Sequence, residues 1–263
     1  MKLPLTIVPS STVILPVLKK EYRVRAMNIR EEKNLLTAKD AGNTDDVLFA
    51  INELVKECTY GNLDFDTLAV PDVVALFVKI IELSKGPTCV HTYICRNTVQ
   101  DNDNQVECGQ EINVTVDLRT IKFSEGNTNN LIDLQDGITI ELMYPTPEIY
   151  KAAINDSKVV VQENGKDVTK INEAEARLRA YAYCIKSVIQ GENIYTEYTH
   201  DEVYNWLLDM NETVLKRLID FFNNIPTASL TYDVVCPKCG HKETITLTGL
   251  DDFFTQDIPG ILS

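Results

Sequence analysis

The feature that most constrains this chain is Cys236-Pro237-Lys238-Cys239-Gly240-His241. Two thiolates separated by two residues can both reach one metal ion when the backbone turns tightly between them. Pro237 favours such a turn, and Gly240 lets the backbone pass close to the second sulfur. Strand-forming residues lie on both sides, Ser229–Val235 before and Thr244–Thr248 after. A redox Cys-x-x-Cys would instead open a helix in a βαβ setting. The surroundings therefore favour a zinc-ribbon knuckle.

A structural zinc site takes four ligands, so two more must come from elsewhere. Cys95 and Cys108 match best: Cys108 precedes Gly109 as Cys239 precedes Gly240, and Cys95 ends an apolar strand. The expected set is Cys95, Cys108, Cys236 and Cys239 holding a structural Zn²⁺, with Cys89 or His91 as replacements for Cys95. The polar stretch from Asn97 to Gln105 must then loop outward. The site would staple positions 95–108 to 236–239, and metal-binding energy would act as folding energy. His241 is expected at the surface or beside the ligands. Cys58 and Cys184 fall on or next to apolar helix faces and read as buried core thiols.

The 263 residues, 44% of them hydrophobic, can bury one large core or two small ones. A net charge of -14 repels a phosphate backbone, so no nucleic-acid partner is expected. The nearby Lys19, Lys20, Arg23, Arg25 and Arg30 read as a solvated strand face. Seven cysteines with no export signal suit a reducing cytoplasm, as thiols or metal ligands rather than disulfides. The longest apolar run, Val73 to Val78, is too short to span a bilayer. With three histidines, no phosphate loop and no nucleophile elbow, catalysis has no support. A four-thiolate site would also lack the open position a catalytic zinc needs.

Periodicity places a hairpin over Ser11–Met27, turning at Lys19-Lys20. Helices follow near Ile29–Ala41, ending at Gly42, and from Thr44, as N-cap, to Cys58. A third runs from Pro71 to Ser84. Strands are expected at Val90–Cys95, Ile112–Leu118 and Ile138–Met143. A long helix spans Glu173–Gln190, and shorter ones lie near Asp201–Met210 and Glu212–Asn223, the last capped by Asn211 with Leu215, Leu218 and Phe222 inward. The expected class is α+β: helical bundle regions combined with a small antiparallel β zinc-ribbon-like module. The expected division is residues 1–88 as N-terminal strands and helices, 89–124 plus 229–263 as the β module, and 125–228 as a mainly helical segment. Cys108-Gly109 and Cys239-Gly240 each precede an alternating strand, so the two knuckles look like one architecture used twice.

Leu15-Pro16, a basic strand and then Asn28-Ile29-Arg30-Glu31-Glu32-Lys33-Asn34-Leu35-Leu36 open a series of further signals. Cys58-Thr59-Tyr60-Gly61-Asn62-Leu63-Asp64, the Pro71–Ser84 helix, the Cys236–His241 knuckle and Leu250-Asp251-Asp252-Phe253-Phe254 continue it. In this order they resemble the baseplate hub proteins of T-even-like contractile-tailed phages, over residues 10–118 and 229–254. The Cys95–Cys108 spacing is wider than a tight knuckle. The resemblance implies a non-enzymatic hub component or assembly factor, with other baseplate hub or tail proteins as partners in a homo- or hetero-oligomer. It implies assembly in the host cytoplasm and a place in the virion tail baseplate. Phe253 and Phe254 would anchor a partner or pack the C-terminus onto its own core. The competing readings are a zinc-ribbon nucleic-acid binder, which needs a basic groove with stacking aromatics, and a zinc hydrolase.

Overall fold

The computed structural model describes residues 7–41, 44–63, 67–101, 104–127, 129–134, 137–163 and 166–248. The chain is mixed α+β, as its periodicity predicts, with antiparallel sheets throughout. It divides into two compact units: Met1–Phe65, Pro71–Ser124 and Pro226–Ser263 form the first, Asp66–Val70 and Glu125–Ile225 the second. The second is thus inserted into the first. Ser124 donates its N–H to the Thr227 carbonyl at 3.1 Å, so the first unit closes where the insertion leaves and returns.

In the first unit, β1 (Ser10–Ile14) and β2 (Glu21–Arg25) form the expected hairpin, followed by α1 (Ile29–Ala41) and α2 (Thr44–Cys58). Gly42 and the side chains of Thr44, Asp45 and Asp46 lie outside the described residues. Asn28 caps α1 reciprocally: its Oδ1 accepts the Glu31 N–H at 3.0 Å, and Glu31 Oε2 accepts the Asn28 N–H at 2.8 Å. Arg25 then clamps Glu31 through both guanidinium nitrogens, at 2.7 and 2.9 Å, and reaches the Glu57 carbonyl at the end of α2. One side chain therefore joins a strand and two helix ends. Cys58 is fully buried beside this pair, and burial pushes its thiol up to about 12.

The helix α3 (Val70–Lys85) is apolar nearly all round, and Val73–Phe77, Ile80 and Ile81 are buried. Its first turn carries the fully buried Asp72, whose carboxylate accepts the backbone N–H groups of Val17 at 2.7 Å and Leu18 at 3.2 Å. Burial raises the Asp72 carboxyl, and these two donors oppose the rise. Beyond α3 come β3 (Thr88–Ile94), β4 (Thr98–Asp101), β5 (Asn104–Glu107), β6 (Glu111–Asp117) and β7 (Lys122–Phe123). The expected outward loop at Asn97–Gln105 is largely the β4–β5 ladder, because Val99 pairs with Val106 and the polar residues alternate around them. After the insertion, β14 (Ala228–Val235) pairs with β15 (Lys242–Thr248) and with β7. Phe253 and Phe254 lie outside the described residues.

The second unit holds the sheet β13-β12-β9-β8: Asn193–Tyr195, Ile185–Gln190, Ile138–Leu142 and Leu131–Asp133. It also holds helices α4 (Pro147–Asp156), α5 (Glu173–Tyr183), α6 (His200–Leu208) and α7 (Glu212–Asn223), and the hairpin β10–β11 (Lys158–Glu163, Lys166–Ile171). Ile140, Leu142, Ala182, Ile185, Leu218 and Phe221 belong to one apolar core. The single helix expected over Glu173–Gln190 is a helix and a strand. The α5 helix stops at Tyr183 with Cys184 as its cap, and Ile185 and Ser187 are buried while Lys186 is exposed. That alternation has period two, and Ile185 and Val188 are β-branched, so strand pairing wins. Asn211 caps α7 as expected, but its buried face is Val214, Leu218 and Phe221, with Leu215 and Phe222 half-buried.

Removing the Asp72 carboxylate strands two backbone donors. Asp72→Ala is expected to lower unfolding free energy by about 2 kcal/mol in urea titrations, and Asp72→Asn, which keeps one acceptor in place, by less. Equal losses in both variants would show that the acceptor does not matter.

Candidate metal centre

The four cysteines expected from the sequence come together where two hairpins meet, partway along the first and at the turn of the second. In the first hairpin, Ile94 pairs with Glu111 and Thr98 with Glu107. Both strands advance four residues between these pairs, so the β3–β6 and β4–β5 ladders share one register. The interruption is Cys95-Arg96-Asn97 facing Cys108-Gly109-Gln110. It is bridged by Cys95 N–H to the Gln110 carbonyl at 2.9 Å, Gly109 N–H to the Cys95 carbonyl at 3.0 Å, and Cys108 N–H to the Asn97 carbonyl at 2.8 Å. In the second hairpin the ladder reaches Val235–Lys242, and Cys236 N–H donates to the His241 carbonyl at 2.8 Å. Gly240 N–H returns to the Cys236 carbonyl at 2.9 Å and closes the Pro237–Gly240 turn. Gly109 and Gly240 have φ of 65° and 71°, the left-handed region that only glycine enters freely.

Cys95 Sγ lies 3.7 Å from Cys239 Sγ, and Cys108 Sγ lies 3.7 Å from Cys236 Sγ. All four sulfurs fall within 4.8 Å of one another. A disulfide would need about 2.05 Å, and all seven cysteines are free thiols. A tetrahedron with metal–sulfur bonds of about 2.3 Å has edges of about 3.8 Å. The arrangement therefore fits a metal ion at its centre. Cys95, Cys108 and Cys236 are buried and Cys239 is partly exposed, with Tyr93, Val99 and Ile112 packed around them.

The surrounding polar groups suit thiolate charge. The backbone N–H groups of Asn97, Gln110 and His241 point at the sulfurs of Cys95, Cys108 and Cys239, each two residues after its cysteine. The His241 donor is the main cause that draws Cys239 down to about 6. Cys95 also has its donor, Asn97, but burial and the neighbouring sulfurs outweigh it and push the thiol up to about 12. Four thiols this close cannot all ionise unaided, and a divalent cation offsets the repulsion. Asn97 Nδ2 also reaches Cys239 Sγ at 3.7 Å, and Lys238 Nζ bonds the Cys108 carbonyl at 2.9 Å. Both contacts tie one hairpin to the other.

Cys89 and His91 do not join the cluster. Cys89 is buried opposite Val116, and burial raises its thiol to about 11. His91 faces Val114 in the ladder and its Nδ1 meets the Tyr232 hydroxyl. His241 contributes its backbone, while its ring sits 3.7 Å from Glu243. His200 opens α6 and stacks on Tyr183. Spacing alone did not reveal Asn97, Gln110 and Lys238. The repeated Cys-Gly pair hinted at Gln110, as at His241, since it marks where the next N–H turns back onto sulfur; Asn97 follows Cys95-Arg96, which carries no such signal.

Two hairpins meeting through four thiols define an α+β protein with a four-cysteine cluster that could hold a metal ion. The sequence matches the family described as T4 bacteriophage base plate protein over residues 8–255. The chain belongs to that family, a structural component of the phage baseplate, and this bears out the resemblance read from its motifs at the level of the baseplate. Membership implies contact with other baseplate proteins and a place in the tail baseplate of the virion. No curated protein and no solved structure matches the chain. Among the described residues, no helix is long and apolar enough to cross a membrane.

A Cβ at Gly109 or Gly240 meets no close side chain, so substitution there strains only the backbone. Gly240→Ala and Gly109→Ala are each expected to cost about 1 kcal/mol in chemical unfolding, and Gly240→Asn less than Gly240→Ala. Unchanged midpoints for both alanine variants would show that the knuckles tolerate another conformation.

Proposed function

We propose that this chain is a non-enzymatic component or assembly factor of the central hub of a contractile-tail baseplate. Its β module, residues 89–124 and 229–263, is held by a structural Zn²⁺ on Cys95, Cys108, Cys236 and Cys239. The observation that carries the metal reading is the mutual approach of the four sulfurs, within 4.8 Å, in a chain whose cysteines are free thiols. Zinc has no geometric demand from d-electrons and suits a thiolate tetrahedron. When bound it supplies charge neutralisation and a cross-link. The chain's own residues do the rest: three backbone N–H groups hold charge on sulfur, and Lys238 and Asn97 fix one hairpin against the other. Four thiolates leave no coordination position for a substrate or a hydrolytic water. That supports the non-enzymatic reading.

Membership of the baseplate family supports other hub or tail proteins as partners, met during assembly in the host cytoplasm. The net charge of -14 disfavours nucleic acid as the ligand.

Elemental analysis of the purified chain tests the centre. About one zinc per chain is expected, lost in both Cys108→Ser and Cys236→Ser, with a large fall in thermal stability and the same fall on chelation. Absence of metal, or zinc retained by Cys108→Ser, would overturn this ligand set, and iron in its place would overturn zinc as the metal. Copurification with hub proteins of the same phage tests the role, and failure with every baseplate protein would overturn it.

A further inference from the structure

The hairpin β10–β11 is the part of the second unit that its own core explains least. None of its residues belongs to that core or to the half-buried shell around it. Val160 is 68% exposed, Ile171 48% and Val159 39%, so apolar side chains face solvent on both sides of the ribbon. Pairing Lys158 with Ile171 and Val160 with Thr169 puts Val160 and Ile171 on one face, and Val159, Val161 and Val168 on the other. An isolated two-stranded ribbon is marginal in water. Among the described residues, β10 pairs with β11 alone, so the N–H and C=O groups of alternate residues along its outer edge are used by no ladder.

The geometry points to a second copy of this chain as the occupant of that edge, with β10 paired antiparallel to its own symmetry mate. A two-fold axis through such a pair requires one residue to face its own copy. Centred on Val160, the register sets Val160 against Val160, Val159 against Val161 twice, and Lys158 against Gln162 twice. No like charges face each other, and the glutamine amide oxygen accepts from the lysine. The other edge cannot do this. Centred on Val168, β11 sets Lys166 against Lys170, and centred on Thr169 it sets Val168 against Lys170 and Asp167 against Ile171. Lysines on an edge strand guard it against pairing, and β10 has none between Lys158 and its end. The ribbon also carries three lysines, Lys158, Lys166 and Lys170, against Glu163 and Asp167, in a chain of net charge -14. It is therefore a place where two acidic copies can approach with little repulsion. The product is a four-stranded sheet, β11-β10-β10-β11, long enough to be stable where the free ribbon is marginal.

Sedimentation equilibrium of the full chain, from micromolar to several hundred micromolar, reads the association directly. The parent is expected to show a reversible monomer–dimer equilibrium. Val160→Lys and Val160→Glu, each placing like charges across the axis, are expected to weaken it by about tenfold or more. Mixing the two variants should restore the dimer as a heterodimer, because opposite charges then meet. Thr169→Lys on the other edge should leave it unchanged. Far-UV circular dichroism of each variant checks the fold, and these positions are exposed enough to tolerate the change. A parent that stays monomeric throughout overturns the proposal. So does a dimer indifferent to Val160→Lys, or a mixture of the charged variants that fails to associate.

Discussion

The meeting of four thiols between two hairpins is the contact on which the β junction of the first unit depends. Cys95 and Cys239 are separated by 144 positions and Cys108 and Cys236 by 128, with Glu125–Ile225 of the second unit between them. Closing a flexible loop of that length costs about 4 kcal/mol of chain entropy beyond the constant part. A contact this remote must therefore be strong or well supported. Here the support is visible: Tyr93 donates to Glu243, His91 meets Tyr232, and Lys238 reaches the Cys108 carbonyl, all across the same junction. The pairing of β7 with β14 and the Ser124–Thr227 hydrogen bond hold the two ends of the insertion together, so the second unit can fold without stretching the first.

The helix boundaries at Thr44–Cys58 and Glu212–Asn223 were legible because each segment carries a 3.6-residue apolar stripe, and Ile29–Ala41 because it opens on Arg30-Glu31-Glu32 and is followed by Gly42. The boundary inside Glu173–Gln190 was not. Alanine, leucine and tyrosine lead straight into isoleucine and valine there, without glycine or proline, and only pairing of β12 with β9 decides that the helix stops. Local propensity cannot report a partner that lies over 40 positions away.

The Cys95–Cys108 spacing looked too wide for a knuckle because it was judged along the sequence. The two residues sit on opposite strands of one hairpin, and β4 and β5 merely extend that hairpin past them. The number of residues between such a pair is set by the length of the extension, so it carries no information about sulfur separation. Across the ladder, three backbone bonds hold the two strands in register and bring the thiols to one side. Short spacing is informative only when both ligands share a turn, as Cys236 and Cys239 do. The polar braces were illegible for a related reason: each joins positions at least 130 apart, and no periodicity encodes such a pair.

The hairpin junction of the first unit and the core of the second are stabilised by different physics. The second has an ordinary apolar core in which leucine, isoleucine and phenylalanine from its sheet and helices are buried together. Burial of that kind needs no metal, and its contribution is spread over many side chains. The cluster at the hairpin junction of the first unit consists of three buried cysteines with Tyr93, Val99, Ile112 and Cys239 around them. That is too little apolar surface to hold two hairpins by burial alone, as in other small β modules that rely on a cross-link. Sulfur chemistry must supply what area does not. Loss of the centre should then loosen the hairpin junction while the core of the inserted unit persists, because that core and the thiol cluster share no residue.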